Sequence, residues 1–344
     1  MEVAVLKEAV LVKALSGGAV QCRACEHFCA LKQGEVGKCG VRRNEDGTLM
    51  LTVYAAPVAM HVDPIEKKPL FHFLPQREAL SLGTYGCNFT CPFCQNWQMS
   101  QTRASDAQGA NSVREATPEA LVQICLRNRI PIIAYTYNEP TVFFEYTYDT
   151  AKLAHEHGIR NVYVSNGYMT QQTLDMIAPY LGGINVDLKA FTDDFYREQC
   201  GARLEPVKRN IAYIARQTDI WIEITTLLIP GVNDSDEELQ RMAAWLAEVD
   251  PDMPWHISRF HPDYQMLDRA ATPSSALARA YEIGRQAGLH YIYVGNVLDA
   301  ERESTRCPQC GQRLIERQAY HVRQLWAQPG VCPQCNTVIP GVWS

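Results

Sequence analysis

The sequence has no apolar run approaching the roughly 18 residues that a membrane-spanning helix requires, so none of its 344 residues is expected to cross a bilayer. It also lacks a basic excess. Lys and Arg number 32 against 38 Asp and Glu, a net charge of −6, which argues against a general nucleic-acid surface. The opening segment MEVAVLKEAVLVKAL has no basic flank followed by an apolar block, so no secretory leader is expected and a cytoplasmic location is. Internal repeats and low-complexity segments are missing too. Hydrophobic residues at 47% and charged residues at 20% leave the profile of an ordinary globular protein.

Cysteine, by contrast, is abundant. Of thirteen cysteines, eleven fall into three groups: Cys22, Cys25, Cys29 and Cys39; Cys87, Cys91 and Cys94; Cys307, Cys310, Cys332 and Cys335. A reducing cytoplasm disfavours disulfides, so clustering of this kind points to metal or cluster ligation. Cys125, within LVQICLRN, reads as a buried helix residue, and Cys200 stands alone without an assignable role.

Three domains follow from the patterning: 1–78, 79–300 and 301–344. Residues 1–16 read as a short amphipathic helix stopped by Gly17-Gly18, leading into a small strand-containing cap that holds the first cysteine group. From residue 79, short apolar runs alternate with helical segments. The expected strands are 79–85, 131–137, 160–165, 183–189, 220–229, 254–260 and 290–295. Thr117-Pro118, Asn233-Asp234-Ser235 and Thr272-Pro273 read as helix starts. Strands alternating with helices imply βαβ units and a parallel sheet. The fold class is therefore α/β. Six or seven units in a segment shorter than a full eightfold barrel suit a partial (β/α)6-type barrel, with a doubly wound open sheet as the alternative.

The most informative stretch is Cys87-Asn88-Phe89-Thr90-Cys91-Pro92-Phe93-Cys94, directly after the first parallel strand and Gly86. Three thiolates on one loop can hold three irons of a cubane and leave the fourth open to a small molecule. A zinc site completed by a distant His, or a redox C-x2-C with a bystander, is the plainer alternative. The segment resembles the C-x3-C-x-aromatic-C signature of the radical S-adenosylmethionine (SAM) superfamily. Over nearly the whole chain the sequence is similar to the AmmeMemoRadiSam-system radical SAM enzymes, relatives of the activating enzymes of glycyl-radical enzymes such as pyruvate formate-lyase. The similarity rests on the cysteine-rich start, HVDPIEKKPLFHF (61–73), LGTYGCNFTCPFCQNW (82–97), YTYNEPT (135–141) and CPQC…CPQC…IPGVW at the end.

The resemblance implies a [4Fe–4S] cluster on Cys87, Cys91 and Cys94 whose open iron chelates SAM. Reductive cleavage would give methionine and a 5′-deoxyadenosyl radical that abstracts hydrogen from an unidentified substrate, a small molecule or a partner protein. It implies an oxidoreductase-like enzyme with a flavodoxin- or ferredoxin-like electron donor, and association with Memo-like and AMMECR-like proteins. Glu139, where relatives carry a Gly-Gly-Glu element, would accept hydrogen bonds from the SAM ammonium, assisted by Asn138, although Tyr137-Asn138 replaces the glycine pair. A helix cap explains the same residues. Ser165 and Asn166 are similar to the relatives' Asp-Thr-Asn-Gly but have Val164 at the acidic position, which puts the relatives' cation ligand in doubt; they would bind the ribose or carboxylate, or form only a turn. Asp187 and Lys189 match the relatives' Asp-x-Lys, with an internal salt bridge as the commoner explanation. Residues 229–234 resemble the element near adenine. His256, Arg259, His261, Gly295 and Asn296 are weaker candidates at the last strand ends, and His61, Asp63, Lys67 and Lys68 are weak substrate-side candidates in a run that otherwise reads as a solvated linker.

The two CPQC knuckles have zinc-ribbon spacing, so Cys307, Cys310, Cys332 and Cys335 are expected to form a closed structural zinc site, with a rubredoxin-like iron site as the alternative. Cys22, Cys25, Cys29 and Cys39 suit zinc or an auxiliary cluster, with zinc preferred and His27 able to replace one thiolate. A non-catalytic zinc scaffold, in which all three groups are structural, is the competing reading of the chain.

Overall fold

A computed structural model describes residues 5–103 and 115–344 of the chain. Its centre is an eight-stranded sheet built from β1 (Ala59–Pro64), β2 (Glu78–Gly83), β3 (Ile132–Tyr135), β4 (Arg160–Ser165), β5 (Gly183–Asp187), β6 (Trp221–Leu228), β7 (Trp255–Arg259) and β8 (Ile292–Gly295). The strands lie side by side in unbroken chain order. From β2 to β8 every pairing is parallel, for example Ala79 beside Ile132 and Ile224 beside Trp255. β1 alone runs antiparallel, along β2.

Parallel strands need long returns, and helices supply them. They are α1 (Pro118–Asn128), α2 (Phe144–Glu156), α3 (Gln171–Ile177), α4 (Leu204–Gln217), α5 (Asp236–Val249) and α6 (Ser274–Gln286), one between each successive pair. Thr117 caps α1 by accepting from Ala120 N, with Pro118 at the first helical position; Ser235 caps α5 in the same way through Glu238 N. Thr272 does not cap α6. Its hydroxyl donates to Leu228 O and accepts from Phe260 N, so it fastens the ends of two strands instead. All four residues of β3 are buried, as expected of a strand covered on both faces.

The N-terminal helix expected over 1–16 is not what residues 5–16 form; residues 1–4 lie outside those described. Val5–Glu8 is a strand paired antiparallel with Thr48–Tyr54, and Val12–Ala14 is a strand paired with Val20–Cys22. A helix this short is marginal in water, whereas a strand gains a partner ladder and lets Ala9 and Leu11 enter the core. Gly17 and Gly18 form a turn with positive φ. Arg42 anchors these small sheets, donating to Glu145 on α2 at 2.6 Å and to Val142 O at 3.0 Å, with both side chains buried.

The run 61–68 is not a solvated linker. It forms β1 and a short helical turn, and Asp63 is buried against Lys67 Nζ, Lys68 Nζ and the Tyr137 hydroxyl, each at 2.8 Å. At the other end of the chain, Thr305–Arg306, Arg313–Gln318 and His321–Gln324 form a small antiparallel sheet. Leu314, Ile315, Trp326 and Ile339 pack it onto Phe71, Tyr291 and Tyr293, near the N-terminal end of β8. Among the described residues, no helix is long and apolar enough to cross a membrane.

Candidate active site

Every parallel strand delivers its C-terminal end to one cleft. Its walls come from the loop after β2 (Cys87, Cys91, Cys94), the ends of β3 to β5, Thr225 and Leu227 of β6, Ser258 of β7, and Asn296 after β8. The cleft has a volume of about 260 Å³ and opens to solvent.

The cysteine loop is held by backbone contacts that demand small residues. A Cβ on Gly83 would lie 2.5 Å from Thr136 O, and one on Gly86, at φ +86°, would lie 2.4 Å from Cys39 O. Asn138, on the loop after β3, clamps the same turn: its Oδ1 accepts from Thr84 N at 3.1 Å and its Nδ2 donates to Gly86 O at 2.6 Å. Cys91 is buried and Cys87 and Cys94 are half-buried. Burial pushes the thiols of Cys87 and Cys94 up, and contact with the Cys200 thiol together with burial does so for Cys91. Ionising all three to ligate therefore calls for compensating positive charge, such as a metal brings. Ser100 Oγ lies 3.2 Å from Cys94 Sγ, and Cys200 Sγ lies 3.7 Å from Cys91 Sγ.

Glu139 also lines the cleft, but its carboxylate is already engaged. Oε1 accepts from Thr141 N at 3.0 Å and from the Thr141 hydroxyl at 2.5 Å; Ser165 Oγ reaches both oxygens, and Asn166 N donates to Oε2 at 2.8 Å. The cap reading of this residue is thus realised, and the same carboxylate ties the β3 loop to the β4 loop. Burial pushes its pKa up, against the pull of these donors. Asn166 then reaches onward, its Nδ2 donating to Asn88 Oδ1 at 2.7 Å. Asp187 and Lys189 form the internal ion pair at 2.8 Å while lining the cleft. Burial works against the Lys189 ammonium, but Asp187, Cys91 and Cys200 outweigh it and hold the amine well above its ordinary value.

All six side chains expected to contact SAM (Asn138, Glu139, Ser165, Asn166, Asp187, Lys189) therefore share one cleft with the three cysteines, and Asn296 joins them. Others stay outside it. His256 donates to buried Glu223 at 2.6 Å beneath the cleft, Arg259 donates to Thr272 O, and His261 is exposed beside Gln95. Residues 229–234 make a turn closed by Gly231 N on Asp234 Oδ1 and by Asn233, which accepts from Ile229 N and donates to Lys189 O. His61, Asp63, Lys67 and Lys68 are absent from the cleft wall, although Tyr137, which carries the Asp63 contact, is in it. Cys125 is a buried α1 residue, as its helical context implies. Sequence reasoning passed over Asn88 and left Cys200 without a role; the position of Asn88 between ligand candidates was a signal, whereas nothing local marks Cys200.

Residues 81–243, the stretch from β2 into α5, match the radical SAM superfamily. This stretch is a radical SAM superfamily domain. It is 40% identical to the uncharacterized protein MJ0808 of Methanocaldococcus jannaschii over 92% of its own length and 93% of that protein's. A more distant relative is MJ1632 of the same organism, named as a proposed glycyl-radical enzyme activating enzyme, 25% identical over 60% of this chain and 76% of that one. Among solved structures, a radical SAM methyltransferase from Sphaerobacter thermophilus overlays 71% of this chain and 78% of its own at 18% identity, with a TM-score of 0.49.

The C-terminal cysteines lie apart from the radical SAM cleft. The Sγ atoms of Cys307, Cys310, Cys332 and Cys335 are all within 4.8 Å of one another, with Cys307 to Cys335 at 3.5 Å and Cys310 to Cys332 at 3.6 Å. The Thr337 hydroxyl pulls the Cys335 thiol below its ordinary value. These four sulfurs are close enough together that they could hold one metal ion.

Proposed function

We propose that the chain is a SAM-dependent radical enzyme in which Cys87, Cys91 and Cys94 hold three irons of a [4Fe–4S] cluster and SAM occupies the fourth. When bound, these groups supply a 5′-deoxyadenosyl radical for hydrogen-atom abstraction, which the protein must orient and shield. The observation that carries the reading is the convergence of three thiols with Asn138, Glu139, Ser165, Asn166, Asp187 and Lys189 on one cleft at the strand C-termini, where barrel-type enzymes work. Cys200 leaves that reading intact. At 3.7 Å from Cys91 Sγ, from which it accepts, it is too close to serve a separate corner of a cube.

The chain's own residues then divide the work. Asn138 sets the loop that carries Cys87, Glu139 locks the two neighbouring loops, and Lys189 brings a cation beside Cys91 to meet a negatively charged cluster or the SAM carboxylate. Because Glu139 is saturated by Thr141, Ser165 and Asn166, any SAM ammonium must share its oxygens rather than find them free. The sheet is read as a partial barrel: strands in unbroken order with right-handed crossovers put all helices on one face and leave the other as an interior. The tail is read as a zinc ribbon. Tetrahedral thiolates at about 2.3 Å from zinc stand about 3.8 Å apart, close to the Sγ separations here.

The residues quoted above favour the AmmeMemoRadiSam group, with a flavodoxin- or ferredoxin-like protein as electron source and Memo-like and AMMECR-like proteins as associates. The hydrogen donor is then a small molecule or a glycine of a partner enzyme. The test is anaerobic. Purified protein is expected to be brown and, once reduced, to convert SAM to 5′-deoxyadenosine; Cys91→Ala should abolish that product. A colourless wild type holding only zinc and leaving SAM intact would overturn the proposal in favour of a zinc scaffold.

A further inference from the structure

The first cysteine group sits on the edge of the small sheets. Cys22 ends the strand Val20–Cys22, Cys22 N donates to Cys29 O at 2.9 Å across the intervening loop, and Cys39 belongs to the turn before Arg42. Cys22, Cys25, Cys29 and Cys39 all line one small cavity, walled otherwise by His27, Arg42, Asn88 and Val142. Their thiols surround a space instead of converging on a point. Among the described residues, the C-terminal tetrad alone brings three or more ligand atoms within 4.8 Å of one another, so no three of these four sulfurs do. Zinc draws tetrahedral thiolates to about 3.8 Å apart and needs no void; a cubane holds its thiolates at the outer corners of a body that fills one. The sulfurs of Cys87, Cys91 and Cys94 are spread in the same way.

A second observation points into the same cavity. Asn88 is fully buried, its Oδ1 takes Asn166 Nδ2 at 2.7 Å and its backbone O takes His27 Nε2 at 2.8 Å, yet its Nδ2 has no hydrogen-bond partner. That amide lies beside Cys25 on the cavity wall, where a sulfur acceptor would satisfy it. His27, committed through Nε2 to Asn88 O, is a wall rather than a replacement ligand. We infer that Cys22, Cys25, Cys29 and Cys39 hold a second [4Fe–4S] cluster, not zinc, packed directly behind the three-cysteine loop.

Asn88 is the party wall. It follows Cys87 in the chain, and Gly86 must lack a side chain for the Cys39 backbone to press against this loop. In the radical SAM reading proposed above, on which this role rests, a low-potential one-electron donor reduces the outer cluster, and the same electron passes to the inner one. No bond forms or breaks, and no proton moves.

Iron and zinc counts on anaerobically purified, reconstituted full-length chain test the inference. Wild type should hold about eight iron and one zinc, and the triple variant Cys87→Ala/Cys91→Ala/Cys94→Ala about four iron, with the electron-paramagnetic signal of a reduced [4Fe–4S] cluster after dithionite. A triple variant without iron and with a second zinc overturns it. If that variant is insoluble, the wild type decides alone, about eight iron to one zinc supporting the inference and about four to two overturning it. Four iron in both proteins would leave this site standing while sinking the cluster on the three-cysteine loop.

Discussion

At the scale of single residues, the cleft is organised by side chains that act on the protein before they act on any ligand. Asn138 is the clearest case. The sequence suggests a helper in SAM binding, whereas its amide bridges Thr84 N and Gly86 O. Removing it orphans a buried donor and a buried acceptor, each costing about 1–3 kcal/mol. Asn138→Ala is therefore expected to lower stability by a few kcal/mol in denaturant titrations and to reduce the iron retained by the three-cysteine loop, with the KM for SAM of the molecules that keep it little changed. A raised KM at full iron content would instead assign Asn138 to SAM itself. Glu139 teaches the same lesson: the sequence identified an acidic group at the right strand end, but only the fold reveals that Ser165 and Asn166, chosen as separate candidates, are its partners.

At the scale of elements, what was legible followed periodicity and what was not followed long-range pairing. The seven parallel strands could be read because each is an apolar run bounded by turn or helix signals, and RNVYVS coincides with Arg160–Ser165. The strand Val5–Glu8 could not, since its apolar spacing admits helix or strand and the partner that decides lies more than thirty residues away at Thr48–Tyr54. β1 was missed for a related reason: its ladder with β2 is closed by a connection from Ile65 to Arg77, too long to signal a hairpin. The cysteine tail was legible from spacing alone, and on the zinc-ribbon reading proposed above its fold depends on a metal. Its apolar cluster is small, with Leu314, Ile315, Trp326 and Ile339 gathered around Cys307 and Cys332. A segment with so little core relies on metal ligation for its fold. Cys332→Ala should release the tail, seen as rapid proteolysis beyond residue 300, while the iron of the rest of the chain is retained. Resistance to protease equal to the wild type's would show that packing suffices without the metal.

At the scale of the whole molecule, the tail is joined to the floor of the sheet by a directed chain of hydrogen bonds, and its direction makes the joint sensitive to acid. Arg317 Nη1 donates to Thr305 Oγ1 at 2.7 Å, Thr305 to the Tyr293 hydroxyl at 2.9 Å, Tyr293 to His72 Nε2 at 2.6 Å, and His72 Nδ1 to Pro340 O at 2.8 Å. Pro340 O can only accept, so His72 Nδ1 carries a proton, and in the neutral ring Nε2 accepts from Tyr293, which in turn accepts from Thr305. A second proton on Nε2 would have to turn the Tyr293 and Thr305 hydroxyls around beside the buried guanidinium. Burial lowers the His72 pKa to about 4 from an ordinary 6.5, with Glu223 pulling the other way. Between those values the unfolded chain binds more protons than the folded one, so stability is fully present above pH 6.5 and lost as pH falls towards 4. The difference amounts to about 3 kcal/mol at the low end of the window. Glu223, which accepts from Phe71 N, His72 N, Trp221 Nε1 and His256 Nε2, is held below its usual range despite its burial, so its own loss comes only at still lower pH. Denaturant midpoints of the wild type should therefore fall between pH 6.5 and 4, while His72→Asn, less stable at pH 7.5, should show a flatter profile over the same interval. Parallel profiles for the two proteins would mean that the acid sensitivity lies elsewhere, in the tail thiolates or the carboxylates.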